Sequence, residues 1–217
     1  MILYKSVSLA DQVFDQLEAD ILSGKYARGT MFTEMKLCEE LGVSRTPVRE
    51  ALKRLEQEHI IESSGKGMVI LGITDNDARV LFAIREKVEG LAAAACAANI
   101  NDEQITGLQE NIELQEFYLS KRDSEKIKEL DSEFHRKIYE ASGSVVYSDT
   151  LLPLINKLQK VRKASLENEA RAERSIEEHK AILDAISARD GKAAEAAMIL
   201  HAKNAGDYFN ERAAAED

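Results

Sequence analysis

The chain has 217 residues, enough for one large domain or two small ones, and is 44% hydrophobic and 31% charged, which excludes a disordered tail. Taken whole, a formal net charge of −10 argues against nucleic acid, no apolar run approaches the roughly 20 residues of a membrane span, and the N-terminus MILYKSVSLADQ lacks the apolar centre of a leader. Cys38 and Cys96 form neither a CxxC pair nor a disulfide framework, so a soluble, cytoplasmic protein is expected.

Ser8, with Asp11 three residues on, caps a first helix along which Leu9, Val13, Leu17 and Ile21 recur, and Gly24 stops it. Thr33 caps a second, short helix ending at Gly42, which suits the left-handed conformation. Ser44 caps a third, with Pro47 in its first turn, where the missing N–H costs little. After Ile60 the period changes: Ile60-Ile61-Glu62-Ser63 and Met68-Val69-Ile70-Leu71 flank Ser64-Gly65-Lys66-Gly67, the pattern of a hairpin.

The rest reads as helix. Thr74, with Asp77, opens a helix to Asn99, and Asn101 and Gln104 cap the next, to about Lys121. Ser124 to Ala141 follows, closed by Gly143. A fourth helix spans about Asp149 to Glu167 with Pro153 near its start, and two more cover about Arg171 to Ala188 and Gly191 to Arg212. Six antiparallel helices on short loops make a bundle. Six of the eleven glycines fall in the first 74 residues, so the division lies near Gly72 to Thr74: a turn-rich module over 1–73 and a helical one over 74–217.

Charge follows that division. Residues 1–74 carry 9 basic and 11 acidic side chains and the remainder 20 and 28, but residues 25–54 reverse the sign with 7 against 4. At 100° per residue, Val48, Ala51, Leu52 and Leu55 share one face of the third helix, and Arg45, Thr46, Arg49 and Lys53 share the adjacent one. A short helix, a tight turn and a basic-faced helix have the layout of a helix-turn-helix, whose second helix enters a DNA major groove, and Lys66 at the hairpin tip could reach the flanking backbone. Wheel and charge alone equally allow a solvated amphipathic helix and an ordinary hairpin.

The string Glu39-Glu40-Leu41-Gly42-Val43-Ser44-Arg45-Thr46-Pro47-Val48-Arg49-Glu50-Ala51-Leu52-Lys53-Arg54-Leu55-Glu56 resembles the winged helix-turn-helix signature of the GntR superfamily of bacterial transcription regulators. That resemblance implies DNA contacts by Ser44, Arg45, Thr46, Arg49, Lys66 and Gly67. Two positions depart from it. Met35 stands where some members of the fatty-acid-responsive branch place an arginine, and His59 occupies a slot usually held by glycine.

Asp131 and His135 lie four apart on one helical face, and His179 and His201 fall on the last two helices. One aspartate and three histidines from three helices suffice for a divalent transition metal with positions left for water or ligand. Spacing alone leaves open a surface ion pair and structural histidines. The segments Asp131-Ser132-Glu133-Phe134-His135, Glu178 to Ile186 and Met198-Ile199-Leu200-His201 resemble the FCD effector domain of the FadR-like branch, as does the run Arg85-Glu86-Lys87-Val88-Glu89. Six helices favour its vanillate-regulator-like subgroup.

The resemblance implies a mainly α protein, a winged helix-turn-helix followed by a six-helix bundle. Asp131, His135, His179 and His201 would hold Zn, Ni or Mn beside a pocket for a small carboxylate effector. Arg85 and Arg162 are candidate partners for that carboxylate, since arginine grips carboxylates with paired bonds; helix-surface roles for both stay open. A purely structural ion, a metal sensor and a metal-dependent enzyme are the alternatives. Against the last, no HExxH or GxSxG motif and no repeated Glu-x-x-His pair occurs. The expectation is no enzyme but a homodimeric regulator, repression being the commoner mode, that binds a pseudo-palindromic double-stranded operator and responds to the acid.

Overall fold

The computed structural model describes residues 8–216 and divides into two compact units, one ending at Thr74 and one beginning at Asp75. The start of the stretch inspected for a leader, residues 1–7, lies outside the described residues.

In the first unit α1 (Leu9–Leu22), α2 (Glu34–Leu41) and α3 (Arg45–Gln57) pack with a small sheet of β1 (Met31–Phe32), β2 (Ile61–Ser64) and β3 (Gly67–Ile70). The Ser8–Asp11 capping box, the Thr33 cap and the left-handed Gly42 all form as their sequence signals suggest. Ser44 departs: it occupies the N-cap position of α3, but its side chain makes no capping bond. Leu9 also departs, since it is exposed while Val13, Leu17 and Ile21 are buried with Leu37, Val48, Ala51 and Leu55.

The hairpin pairs Ile61 with Ile70 and Ser64 with Gly67, leaving Gly65 and Lys66 as a two-residue tip. Beyond the sequence reading, β1 adds to β3, giving the antiparallel order β1-β3-β2. Two residues are too short for a periodic signal. Gly67 makes that pairing possible, because a Cβ there would lie 2.6 Å from the Phe32 carbonyl oxygen. His59 does adopt positive φ, at 56°, the strain that its glycine-slot position implies.

The second unit holds α4 (Asp75–Asn99), α5 (Asp102–Ser120), α6 (Ser124–Ala141), α7 (Val145–Lys157), α8 (Gln159–Leu166), α9 (Glu169–Ser187) and α10 (Gly191–Glu216). That is seven helices among the described residues, one more than expected. The fourth expected helix begins earlier, capped by Ser144, so Pro153 lies inside α7 rather than near its start. The chain then leaves helical geometry at Leu158, whose N–H bonds three residues back to Ile155 at 3.1 Å. Tertiary packing decides the break: Leu151, Ile155 and Leu158 are all buried, and the redirected α8 carries Arg162 to Asp131 on α6.

α4 lies closely along α10. Small residues permit this: Ala92, Ala93, Ala97, Ala194 and Ala202 are fully buried, and a Cβ on Gly90 would lie 2.8 Å from Ile199. Phe134, Ile138, Ile182 and Ile186 complete the core against which the polar cluster sits.

Candidate functional site

In the first unit, Arg45, Thr46, Arg49 and Lys53 are exposed on α3 while Val48, Ala51, Leu52 and Leu55 turn inward, so the two faces separate as the wheel requires. Arg49 donates from Nη2 and Nε to the Glu34 carboxylate at 2.9 and 3.2 Å, a fork that holds the guanidinium across the α2–α3 turn. That hydrogen bonding draws the Glu34 carboxyl down and the Arg49 guanidinium up. Arg54 turns away, ion-paired to Asp11 at 2.7 Å and stacked over Phe14. Ser44, with its hydroxyl uncommitted to the cap, is exposed, as is Lys66 at the hairpin tip. Gly67 is required by β1 whatever else it touches.

In the second unit, α6 supplies Asp131 and His135, α9 supplies His179 and α10 supplies His201, all buried, with one ligand atom from each lying within 4.8 Å of the others. Each imidazole is oriented from behind. His179 Nδ1 lies 3.0 Å from Gln115 Oε1, and His201 Nδ1 lies 2.8 Å from Glu178 Oε2. His135 Nδ1 lies 3.5 Å from the Tyr139 hydroxyl, which itself donates to Glu89 Oε1 at 2.9 Å. With those acceptors behind them, the tautomer with its proton on Nδ1 suits each ring and would turn a bare Nε2 lone pair inward.

The inward geometry calls for a cation. His135 Nε2 and His201 Nε2 are 3.2 Å apart, and His179 Nε2 is buried without a hydrogen-bond partner among the described residues, 3.4 Å from Asp131 Oδ1. Donors about 2.0–2.1 Å from one tetrahedral ion lie roughly 3.3 Å apart, which the 3.2 and 3.4 Å pairs match, while the wider pairs, within 4.8 Å, would have to close somewhat around an ion. A proton cannot readily substitute. Burial lowers His135 to about 3 despite the opposing Glu89 charge, and burial likewise lowers His179 and His201.

Burial decides the arginines too. Arg85 spends Nε and Nη2 on Glu89, at 2.6 and 3.2 Å. Burial would raise the Glu89 carboxyl, but the charge and hydrogen bonds of Arg85 oppose it and the carboxyl is held at about 2. Arg162 is paired with Asp131; burial, with the Arg85 charge second, lowers it to about 9, so it stays cationic at neutral pH. Both line a cleft beside the cluster with about 310 Å³ of empty space, partly open to solvent, but neither is a surface arginine and each has a carboxylate partner. Sequence reading missed Gln115, Tyr139, Glu178 and Arg171. Tyr139 and Glu178 could have been found, four residues after His135 and one before His179; Gln115 and Arg171 carry no local signal.

One consequence concerns acid. The His135 imidazole binds a proton in the unfolded chain at about 6.5 but in the fold only near 3. Between those values the unfolded state holds the extra proton, so stability of the metal-free protein rises with pH and is lost as pH falls below about 6.5, by at most about 1.4 kcal/mol per pH unit for this group. Melting temperatures of chelated protein should therefore fall between pH 7.5 and 5; a flat profile would show that the histidines are not buried neutral.

The FCD domain model matches residues 80–204 and that of bacterial regulatory proteins, gntR family, matches residues 9–70. The chain is 28% identical over 191 residues to the HTH-type transcriptional repressor RspR of Escherichia coli K12, covering 88% of this chain and 84% of that protein. It is 28% identical to the gluconate operon transcriptional repressor of Bacillus licheniformis, over 81% of this chain and 74% of that one. The solved structure of E. coli McbR/YncC superposes with a TM-score of 0.82 at 23% identity, over 95% of this chain and 99% of that one, a likeness of fold.

Proposed function

The chain belongs to the gntR family of bacterial regulatory proteins, in the branch that carries an FCD domain, a family of transcription regulators rather than enzymes; from that we propose a cytoplasmic repressor whose operator affinity is set by a small organic acid bound at a metal-containing pocket. The observation that carries the reading is the convergence of three backed imidazoles and Asp131 on one point at the edge of a cleft.

In this reading α3 enters the major groove of double-stranded DNA. Arg45 and Arg49 reach base edges, Ser44 and Thr46 bond to phosphates, and Lys66 and Gly67 approach the neighbouring backbone. Two copies related by a two-fold axis would read a pseudo-palindrome. Val80, Ile84 and Leu91 support such a homodimer, since they are exposed apolar residues on a single stripe of α4.

Asp131, His135, His179 and His201 hold a divalent ion such as Zn, Ni or Mn. When bound, the ion supplies Lewis-acid positions for a carboxylate oxygen. The arginines, histidines and Ser175 that line the cleft suit a small acid, and the name of the gluconate operon repressor supports that class. α4 carries Glu89, which backs His135 through Tyr139, and α4 follows the hairpin directly through Gly72-Ile73-Thr74. Ligand-dependent movement of α4 is the route by which the acid would bias DNA binding, with a coupling of about 1–3 kcal/mol.

A thermal-shift screen of small organic acids on metal-loaded protein tests this. At least one should raise the melting temperature and change DNA affinity. Acids that stabilise without altering DNA binding would separate the pocket from regulation.

A further inference from the structure

Arg171 opens the first turn of α9 and is buried, lining the same cleft as Asp131, His135 and His201. Its Nη2 donates to Glu178 Oε2 at 3.2 Å, but Nε and Nη1 are buried with no hydrogen-bond partner among the described residues. Arginine cannot shed its proton to relieve this, and buried donors left unbonded cost stability. Arg85 and Arg162, by contrast, are turned onto Glu89 and Asp131. Glu178 Oε2 also accepts from His201 Nδ1 at 2.8 Å, so the Arg171 guanidinium and the His201 ring are no more than about 6 Å apart.

The charges around the cleft point the same way. Arg85 is matched by Glu89, Arg162 by Asp131 and Arg171 by Glu178, each cation against one carboxylate. The protein groups alone therefore balance. A divalent ion at the cluster leaves two positive charges uncompensated in a buried site, where such charge is costly.

Resting on the effector reading above, we propose that Arg171 anchors a second acidic group, so that the cleft selects a dianion: a short dicarboxylate with one end at the Asp131, His135, His179 and His201 cluster and the other on Arg171. Ser175, one turn along α9 and also at the cleft, faces the middle of such a ligand.

Isothermal titration of full-length, zinc-loaded protein with two matched pairs tests this, lactate against malate and gluconate against glucarate. Each pair shares a 2-hydroxycarboxylate end and differs by one carboxylate. In at least one pair the diacid should bind about 10–100-fold more tightly. Arg171→Gln should remove that margin while leaving the monoacid within about twofold, at unchanged zinc content. Equal affinities within both pairs of the wild-type protein overturn the proposal without any variant, as does an Arg171→Gln effect equal on both members. Monoacids that bind and alter DNA affinity with no diacid margin would sink this inference alone; no binding by any of the four would sink the effector reading with it.

Discussion

Replacing His179 by alanine should reduce the metal content of chelated and refilled protein from about one ion per chain to none. His179 Nε2 is buried with no hydrogen-bond partner among the described residues, and its ring is set on both sides: Gln115 Oε1 faces Nδ1 at 3.0 Å, and Phe134 stacks on it with centroids 4.3 Å apart. Removing it leaves two imidazoles and Asp131, whose carboxylate is already shared with Arg162, so the remaining donors should hold an ion too weakly to keep it against a chelator. The effect should grade with distance. Gln115→Ala keeps every ligand but frees the His179 ring, and loss of such a supporting bond typically weakens metal binding about 10–100-fold. Elemental analysis with competitive chelator titration reads both. Equal metal content in His179→Ala and parent would end the four-ligand proposal.

Loss of both Arg45 and Arg49 should lower affinity for an operator selected from random duplexes by roughly 100-fold or more, and Arg49→Ala alone by about ten- to a hundredfold, if each reads a base. Both side chains are exposed and outside the core of Leu17, Leu37, Val48 and Leu55, so the variants should fold as the parent does. Arg49 is also held by Glu34, which fixes its direction before DNA arrives. Glu34→Gln separates the two contributions: it keeps the cation and loosens its aim, so non-specific binding should rise while discrimination falls. Anisotropy titrations on selected and scrambled duplexes measure this. Unaltered operator affinity in the double variant would remove α3 from the interface.

Much of this was legible because it is local. Capping pairs such as Ser8 with Asp11 and Asn101 with Gln104 sit three residues apart, and both boxes form. The Asp131–His135 spacing puts two of the candidate metal-binding residues on one face, and the structure gathers the four residues that the sequence suggests into one buried cluster. What escaped is long-range. The pairing of β1 with β3 depends on Gly67 lying against Phe32, and the break at Leu158 follows from burial that no periodicity encodes. For Arg85 and Arg162 the sequence leaves a carboxylate-binding role and a helix-surface role both open; both are buried at the cleft, each paired with a carboxylate. Arg171 carries the unpaired N–H groups, and nothing in its neighbourhood of the sequence marks it. A net charge of −10 was equally misleading in bulk, since the basic surplus is confined to residues 25–54.

The central claim is that occupancy of the metal-centred pocket sets the affinity of α3 for DNA. Its most direct test is the dissociation constant for one selected operator, measured with and without a stabilising acid, in metal-loaded wild type and in His179→Ala. Wild type should change by about 5–150-fold, the range expected of ordinary coupling between two sites, and His179→Ala should not respond. An unchanged constant in wild type, or the same change in His179→Ala, would contradict it.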